Sequence, residues 1–125
     1  MAAYGAMLLR LVLGIVYIMH AYLALVVLGS SGMMAYQAKA GVPFPELATW
    51  YLILAHGLGG LFLVLGIYTR WAALANVPAM LGALVFVHLK NGFWADKGGY
   101  EYVLVLLVAT LAVAMIGGGA LSLKR

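Results

Sequence analysis

From Met7 to Leu28 the chain reads MLLRLVLGIVYIMHAYLALVVL, apolar almost throughout, with an arginine near one end and a histidine well inside. Three more runs of this kind follow, at about 48–67, 71–89 and 101–121. A helix needs roughly 20 predominantly apolar residues to cross a bilayer, so the pattern predicts four transmembrane spans. Between them lie SSGMMAYQAKAGVPFPE, then a tight YTR around Arg70, then LKNGFWADKGG. The first interruption has room for a short interfacial helix. Pro43 and Pro45 mark the chain's return to the bilayer, with Pro45 placed for a first helical turn. Gly117–Gly119 marks the end of the last helix. The expected architecture is all-α: one domain over residues 1–125, an integral membrane bundle of four transmembrane helices.

Helical residues advance by about 100° each. On the first span Arg10, Gly14, Tyr17, His20, Ala21 and Ala24 fall on one face, opposed by Val12, Ile15, Met19, Leu23 and Val26. Small residues let helices approach closely in lipid, and ionisable residues avoid the hydrocarbon. Both signals select the same inward face. On the second span Thr49, His56, Gly59, Gly60 and Leu63 share a side, opposed by Leu54, Leu58, Leu61 and Leu65. On the third, Ala72, Ala79 and Ala83 lie near Asn76, and Pro78 is expected to bend the helix.

Composition supports the membrane reading. Apolar residues make up 67% of the chain and charged ones 8%, against about 45–50% and about 25% in soluble domains. Cysteine is absent, which excludes disulfides and thiolate chemistry. The net charge of +4 comes from scattered residues, pointing to lipid head groups and not to nucleic acid. No Lys or Arg precedes the first apolar run, and the run is long enough to span, so a cleavable signal is not expected. An even number of spans puts both termini on one side, with Arg10, Arg70, Lys124 and Arg125. The other side has Lys39, Lys90 and Lys97 together with all three acids, Glu46, Asp96 and Glu101. This bias predicts both termini in the cytoplasm. Trp50, Trp71 and Trp94 fall at span ends, as an aromatic belt does.

With that orientation His20 and His56 both lie roughly 12 Å below the outer surface. His88 closes the third span near that surface, and Glu101 opens the fourth. The three histidines are therefore expected to line one polar cavity open outward. Two imidazoles at matched depth suit proton transfer or a quinone carbonyl; hydrogen bonding to Tyr17, Thr49 or a backbone carbonyl is the structural alternative. They would also suit a bis-histidine haem, which the small residues around them disfavour by leaving little room. A metal held by His20, His56 and His88 lacks supporting carboxylate–histidine spacing. Arg10 is expected to snorkel to the inner interface, with a carboxylate or quinone head group as its functional alternative beside Tyr17. Glu101 is placed to favour a helix N-terminus. No nucleotide loop, nucleophile–base pair or metal motif is present, so any electron transfer involves a mobile quinone or a partner that carries the cofactor.

The segments LLRLVLGIVYIMHAY, GVPFPELA, GLGGLFLVLGIYTR, VHLKNGFW…GGYEY and GGGALSLKR, in this order, resemble the DoxX family. The pairing of HLKNGF with GGYEY is the most specific part. The resemblance implies a small four-helix protein of bacterial or archaeal cytoplasmic membranes, of a kind named for similarity to a subunit of a thiosulfate:quinone oxidoreductase. The family motif commonly carries an acid just before the GG of the second span. Here His56 stands in that place, so a carboxylate-dependent proton step does not carry over unchanged. Two functions follow as expectations. One is a quinone-linked oxidoreductase subunit acting with a membrane-protein partner. The alternative is a non-catalytic protein, either an accessory or structural subunit of a larger membrane complex or a small lipid-binding protein. The expected partners are membrane lipids with a membrane-protein partner or a homo-oligomer. The quinone or proton-transfer candidates are Arg10, Tyr17, His20, His56, His88 and Glu101.

Overall fold

The computed structural model describes all 125 residues and is all-helical, with five α-helices. They are α1 (Ala2–Tyr22), α2 (Gly29–Ala40), α3 (Pro45–Leu65), α4 (Thr69–Gly82) and α5 (Glu101–Ile116). The fifth is α2, in the loop where the sequence allowed an interfacial helix. It ends on Gly41 in the left-handed region, with Val42 N–H donating to Gln37 O at 3.0 Å. Pro45 opens α3, as its fixed φ and missing N–H favour.

Helix α1 packs most extensively on α3, α3 on α4, α4 on α5, and α5 closes back onto α1, while α2 lies against α3. Three continuous helical stretches are long and apolar enough to cross a bilayer: Ala2–Val27, Pro45–Leu65 and Thr69–Asn91. The fourth differs from expectation. Helix α5 stops at Ile116, not near 121, because Gly117 takes φ 84°, which breaks the helix. Its 16 residues rise about 24 Å, short of the roughly 30 Å hydrocarbon thickness.

The inward faces follow the helical period, except that His20, expected on the inward face of the first span, is exposed. Arg10, Gly14, Tyr17, Ala21 and Ala24 are buried, and Val12, Ile15, Met19, Leu23 and Val26 are exposed. At the α1–α3 crossing a Cβ on Gly14 would stand 2.6 Å from Gly60 O, and one on Gly60 would stand 2.9 Å from Gly14 O. Only glycine permits that approach. On the third span, Ala72 and Asn76 are buried as expected, but Ala79 and Ala83 are half-buried and Ala73 and Met80 take the core positions. Ala79 and Ala83 remain accessible because they line a cavity.

Two helices loosen into π-helical turns at the same end of the bundle: Leu23–Val27 after α1 and Ala83–His88 after α4. A π turn widens the backbone and re-aims side chains, and such turns often occur at functional sites. Leu23, Ala24, Ala83 and His88 from these turns line the same cavity.

Candidate functional site

That cavity has a volume of about 890 Å³ and mostly apolar walls, within the range of small-molecule sites. Its polar groups are few. Tyr17 and His20 come from α1, His56 from α3, His88 from the turn after α4, and Tyr102 from α5, with Gln37 contributed by α2. The three histidines line one cavity, as expected, but its walls are apolar where a polar cavity was expected. Rings of Tyr17 and His56 stack with centroids 4.7 Å apart, and His20 stands edge-on to His56 at 6.4 Å. Tyr102 lies edge-on to His20 at 6.3 Å. His56 is buried, whereas His20 is exposed at the rim of the cavity. The three imidazoles do not converge with one another or with acids as a metal-binding cluster.

Hydrogen bonding fixes how each imidazole is used. His20 Nδ1 lies 2.9 Å from Val16 O, and His88 Nδ1 lies 2.8 Å from Gly98 O. A carbonyl oxygen only accepts, so both nitrogens carry a proton. His56 Nδ1 is 2.6 Å from Asn76 Oδ1, while Asn76 Nδ2 donates to Ala72 O at 3.0 Å. Reversing the Asn76 amide would set its oxygen against a carbonyl, so the His56 nitrogen is the donor here too. With Nδ1–H committed in all three rings, a neutral imidazole offers the lone pair of Nε2 to a ligand. In the neutral form these nitrogens are acceptors, whereas a quinone carbonyl calls for donors.

Tyr17 is fixed in a similar way. Thr110 donates to Leu106 O at 2.7 Å, so the Tyr17 hydroxyl, 2.5 Å from Thr110 Oγ1, is the donor in that pair. Neither Asn76 nor Thr110 was among the sequence candidates. Each is a polar residue inside an apolar run, and that alone marks it for attention in a membrane helix. The HLKNGF and GGYEY segments meet as well: His88 Nδ1 and Asn91 Nδ2 both donate to Gly98 O, at 2.8 and 3.1 Å.

Two candidates lie elsewhere. Glu101 sits in the first turn of α5 but does not line the cavity. Arg10 does not snorkel. Only 1% of it is exposed, because four carbonyls draw its guanidinium inward at the opposite end of the bundle. Nε donates to Gly118 O at 2.8 Å, Nη1 to Leu63 O and Val64 O at 3.0 and 2.8 Å, and Nη2 to Ala120 O at 2.9 Å. These carbonyls belong to the C-terminal turn of α3 and to the segment after α5, where helical partners run out and positive charge is favoured.

Comparison with known proteins agrees with the resemblance. The DoxX family profile matches residues 5–89. The chain is 25% identical over 119 residues to a Bacillus subtilis protein named "Putative oxidoreductase CatD", covering 95% of this chain and 84% of that one. It is 29% identical over 103 residues to "Inner membrane protein YphA" of Escherichia coli, covering 78% and 74% of the two chains. No solved structure matches.

Proposed function

The chain belongs to the DoxX family of membrane proteins, and from that premise we propose that it is a multi-pass inner-membrane subunit whose histidine cavity takes the head group of a quinone-class molecule in its hydroquinone state. In this reading α5 and its flanking residues complete a four-span bundle with both termini in the cytoplasm, as the distribution of basic residues favours. The carrying observation is that all three cavity imidazoles have their Nδ1–H engaged. The free nitrogens are acceptors, which match the two O–H groups of a hydroquinone and mismatch the carbonyls of a quinone. A relative named as an oxidoreductase supports the redox class.

The bound molecule would supply the two-electron, two-proton couple; the chain's residues bind, orient and accept protons. His56, stacked on Tyr17 and fixed by Asn76, is oriented from both sides. In this reading His20, exposed at the rim beside His56, passes a proton out of the cavity. The chain carries no nucleotide or flavin motif, so the electrons go to or come from a partner protein in the same membrane. The apolar walls also favour a second reading, a lipid-chain site without redox chemistry.

Titrating the purified protein with a short-chain ubiquinol and the matching ubiquinone separates these readings. The proposal expects the reduced form to bind more tightly, and His56→Leu to weaken it about tenfold, the scale of one hydrogen bond to a buried polar group. Equal affinity for both forms would overturn the hydroquinone preference. Binding of neither form, with co-purified lipid unchanged in His56→Leu, would favour the lipid reading. Reporter fusions at Arg125 and beside Lys97 are expected to report opposite sides of the membrane; a cytoplasmic Lys97 loop would reverse the orientation.

A further inference from the structure

A second cavity, of about 650 Å³, lies at the end of the bundle that carries both termini. Its lining includes Arg70, Lys124 and Arg125 and no acid, since Glu46, Asp96 and Glu101 all belong to the segments at the other end. Unlike Arg10, none of the three cations has a side-chain hydrogen-bond partner within the chain; Arg70 lies over Gly117, with Nε 3.0 Å from where a Cβ would stand.

Backbone donors gather at the same place. The first hydrogen bond of α4 runs from Ala72 N–H to Tyr68 O, so the amides of Thr69, Arg70 and Trp71 precede the helical ladder and have no backbone acceptor. The amides of Gly118 and Gly119, which also line the cavity, have none either. A helix N-terminus with free amides favours anions. An independent feature points to a ligand. Thr69 lines the cavity with only 5% of its surface exposed, and its Oγ1 is the one buried side-chain polar atom in the protein without a partner. A Cβ on Gly118 would stand 2.8 Å from that hydroxyl and would also crowd Ser122 Oγ, so only glycine fits beside it. Leaving a hydroxyl unsatisfied is costly, and a bound oxyanion would remove the cost.

We propose that this cavity binds a phosphate oxyanion, held by Thr69 Oγ1, the amides at the start of α4 and the cations Arg70, Lys124 and Arg125, and supplied by an anionic phospholipid head group. Tyr68 and Trp71 also line the cavity and are exposed, as aromatic residues at head-group depth are. The site is independent of the histidine cavity, and its success or failure leaves the hydroquinone reading untouched.

Native mass spectrometry of the detergent-solubilised protein at low salt tests it, with phosphatidylglycerol and phosphatidylcholine as probes and inorganic phosphate as competitor. One phosphatidylglycerol per chain is expected to be retained in preference to phosphatidylcholine. Thr69→Val and Arg70→Gln are each expected to weaken it about tenfold, the scale of one hydrogen bond or contact to a charged group. Thr69→Ser is expected to restore binding and His56→Leu to leave it unchanged. Arg70 is exposed, so its variant reports on binding even if Thr69→Val proves unstable. Displacement by excess inorganic phosphate would support the oxyanion site with free phosphate as its source; resistance to it supports the lipid. Retention unchanged in both variants, or equal retention of phosphatidylcholine, would overturn the site.

Discussion

The two ends of the bundle bury polar groups in opposite ways. Around Arg10, four of the five N–H donors of a guanidinium are spent on backbone carbonyls of α3 and the C-terminal segment. At the other end, the His56 imidazole has Nδ1 bonded to Asn76 and Nε2 left over, beside an open cavity. A charge with its hydrogen-bonding capacity used is a fastener. An imidazole held by one nitrogen, with the other free, is arranged for a ligand. The contrast teaches that burial alone does not identify a membrane protein's site; what remains unsatisfied after burial does.

The largest expected effect tests the fastener. Arg10→Met keeps much of the side-chain volume but removes every donor, leaving the carbonyls of Leu63, Val64, Gly118 and Ala120 without it. Each buried unsatisfied group costs about 1–3 kcal/mol, and water can reach some of them, so a net loss of roughly 3 kcal/mol is expected in denaturant titration of the micellar protein. Arg10→Lys should restore little, because an ammonium has three donors in a compact point and cannot span both segments. A change below about 0.5 kcal/mol, the range of ordinary surface substitutions, would show that the arginine does not hold the C-terminal segment.

Next comes the crossing that connects the two ends. Gly14→Leu and Gly60→Leu drive a side chain into opposing backbone, and overpacking of this kind costs about 1–3 kcal/mol. Leu23→Ala on the exposed side is expected to change melting temperature little. If Gly60→Leu and Leu23→Ala are equally tolerated, the α1–α3 interface is misplaced.

This interface was legible in the sequence because two signals agreed there: small residues and ionisable residues fell on one helical stripe. The first-loop helix was legible from loop length, and the start of α3 from Pro45. Depth arithmetic brought His20, His56 and His88 to one cavity. What escaped was pairing across the bundle. The period places Asn76 on an inward face without showing that its amide meets His56 on another helix, and the same holds for Thr110 and Tyr17. Arg10 was misjudged because its partners are backbone carbonyls, which carry no sequence signal, and two of them lie more than a hundred residues away. The π turns left no periodic trace, and the early end of α5 was visible only as three glycines.

At the histidine end, Asn76→Leu frees His56 Nδ1 from its acceptor. Interhelical hydrogen bonds in membranes average about 0.6 kcal/mol with a maximum near 1.7, so the stability loss is expected to be about 1 kcal/mol. Ubiquinol affinity should fall further than that figure implies, since the ring loses its orientation and its tautomer together. A stability loss with unchanged affinity would move Asn76 to the fastener side of the comparison.

The smallest effect concerns the Tyr17–Thr110 pair, which lies between the two kinds of region. Tyr17 is buried and stacks on His56, yet its hydroxyl is already spent on Thr110. Thr110→Val removes the acceptor and leaves a buried phenol without a partner, so a loss of about 1 kcal/mol is expected. Tyr17→Phe removes the orphan itself, and the double variant Tyr17→Phe/Thr110→Val should therefore recover most of what Thr110→Val loses, because two matched apolar groups leave nothing unpaired. Thermal melts of the three variants measure this directly. Ubiquinol binding then assigns the pair. Unchanged affinity in the double variant makes Tyr17 a stacking platform whose hydroxyl only fastens α1 to α5. A loss of affinity that tracks the missing hydroxyl, with stability recovered, would place the phenol among the groups that touch the ligand.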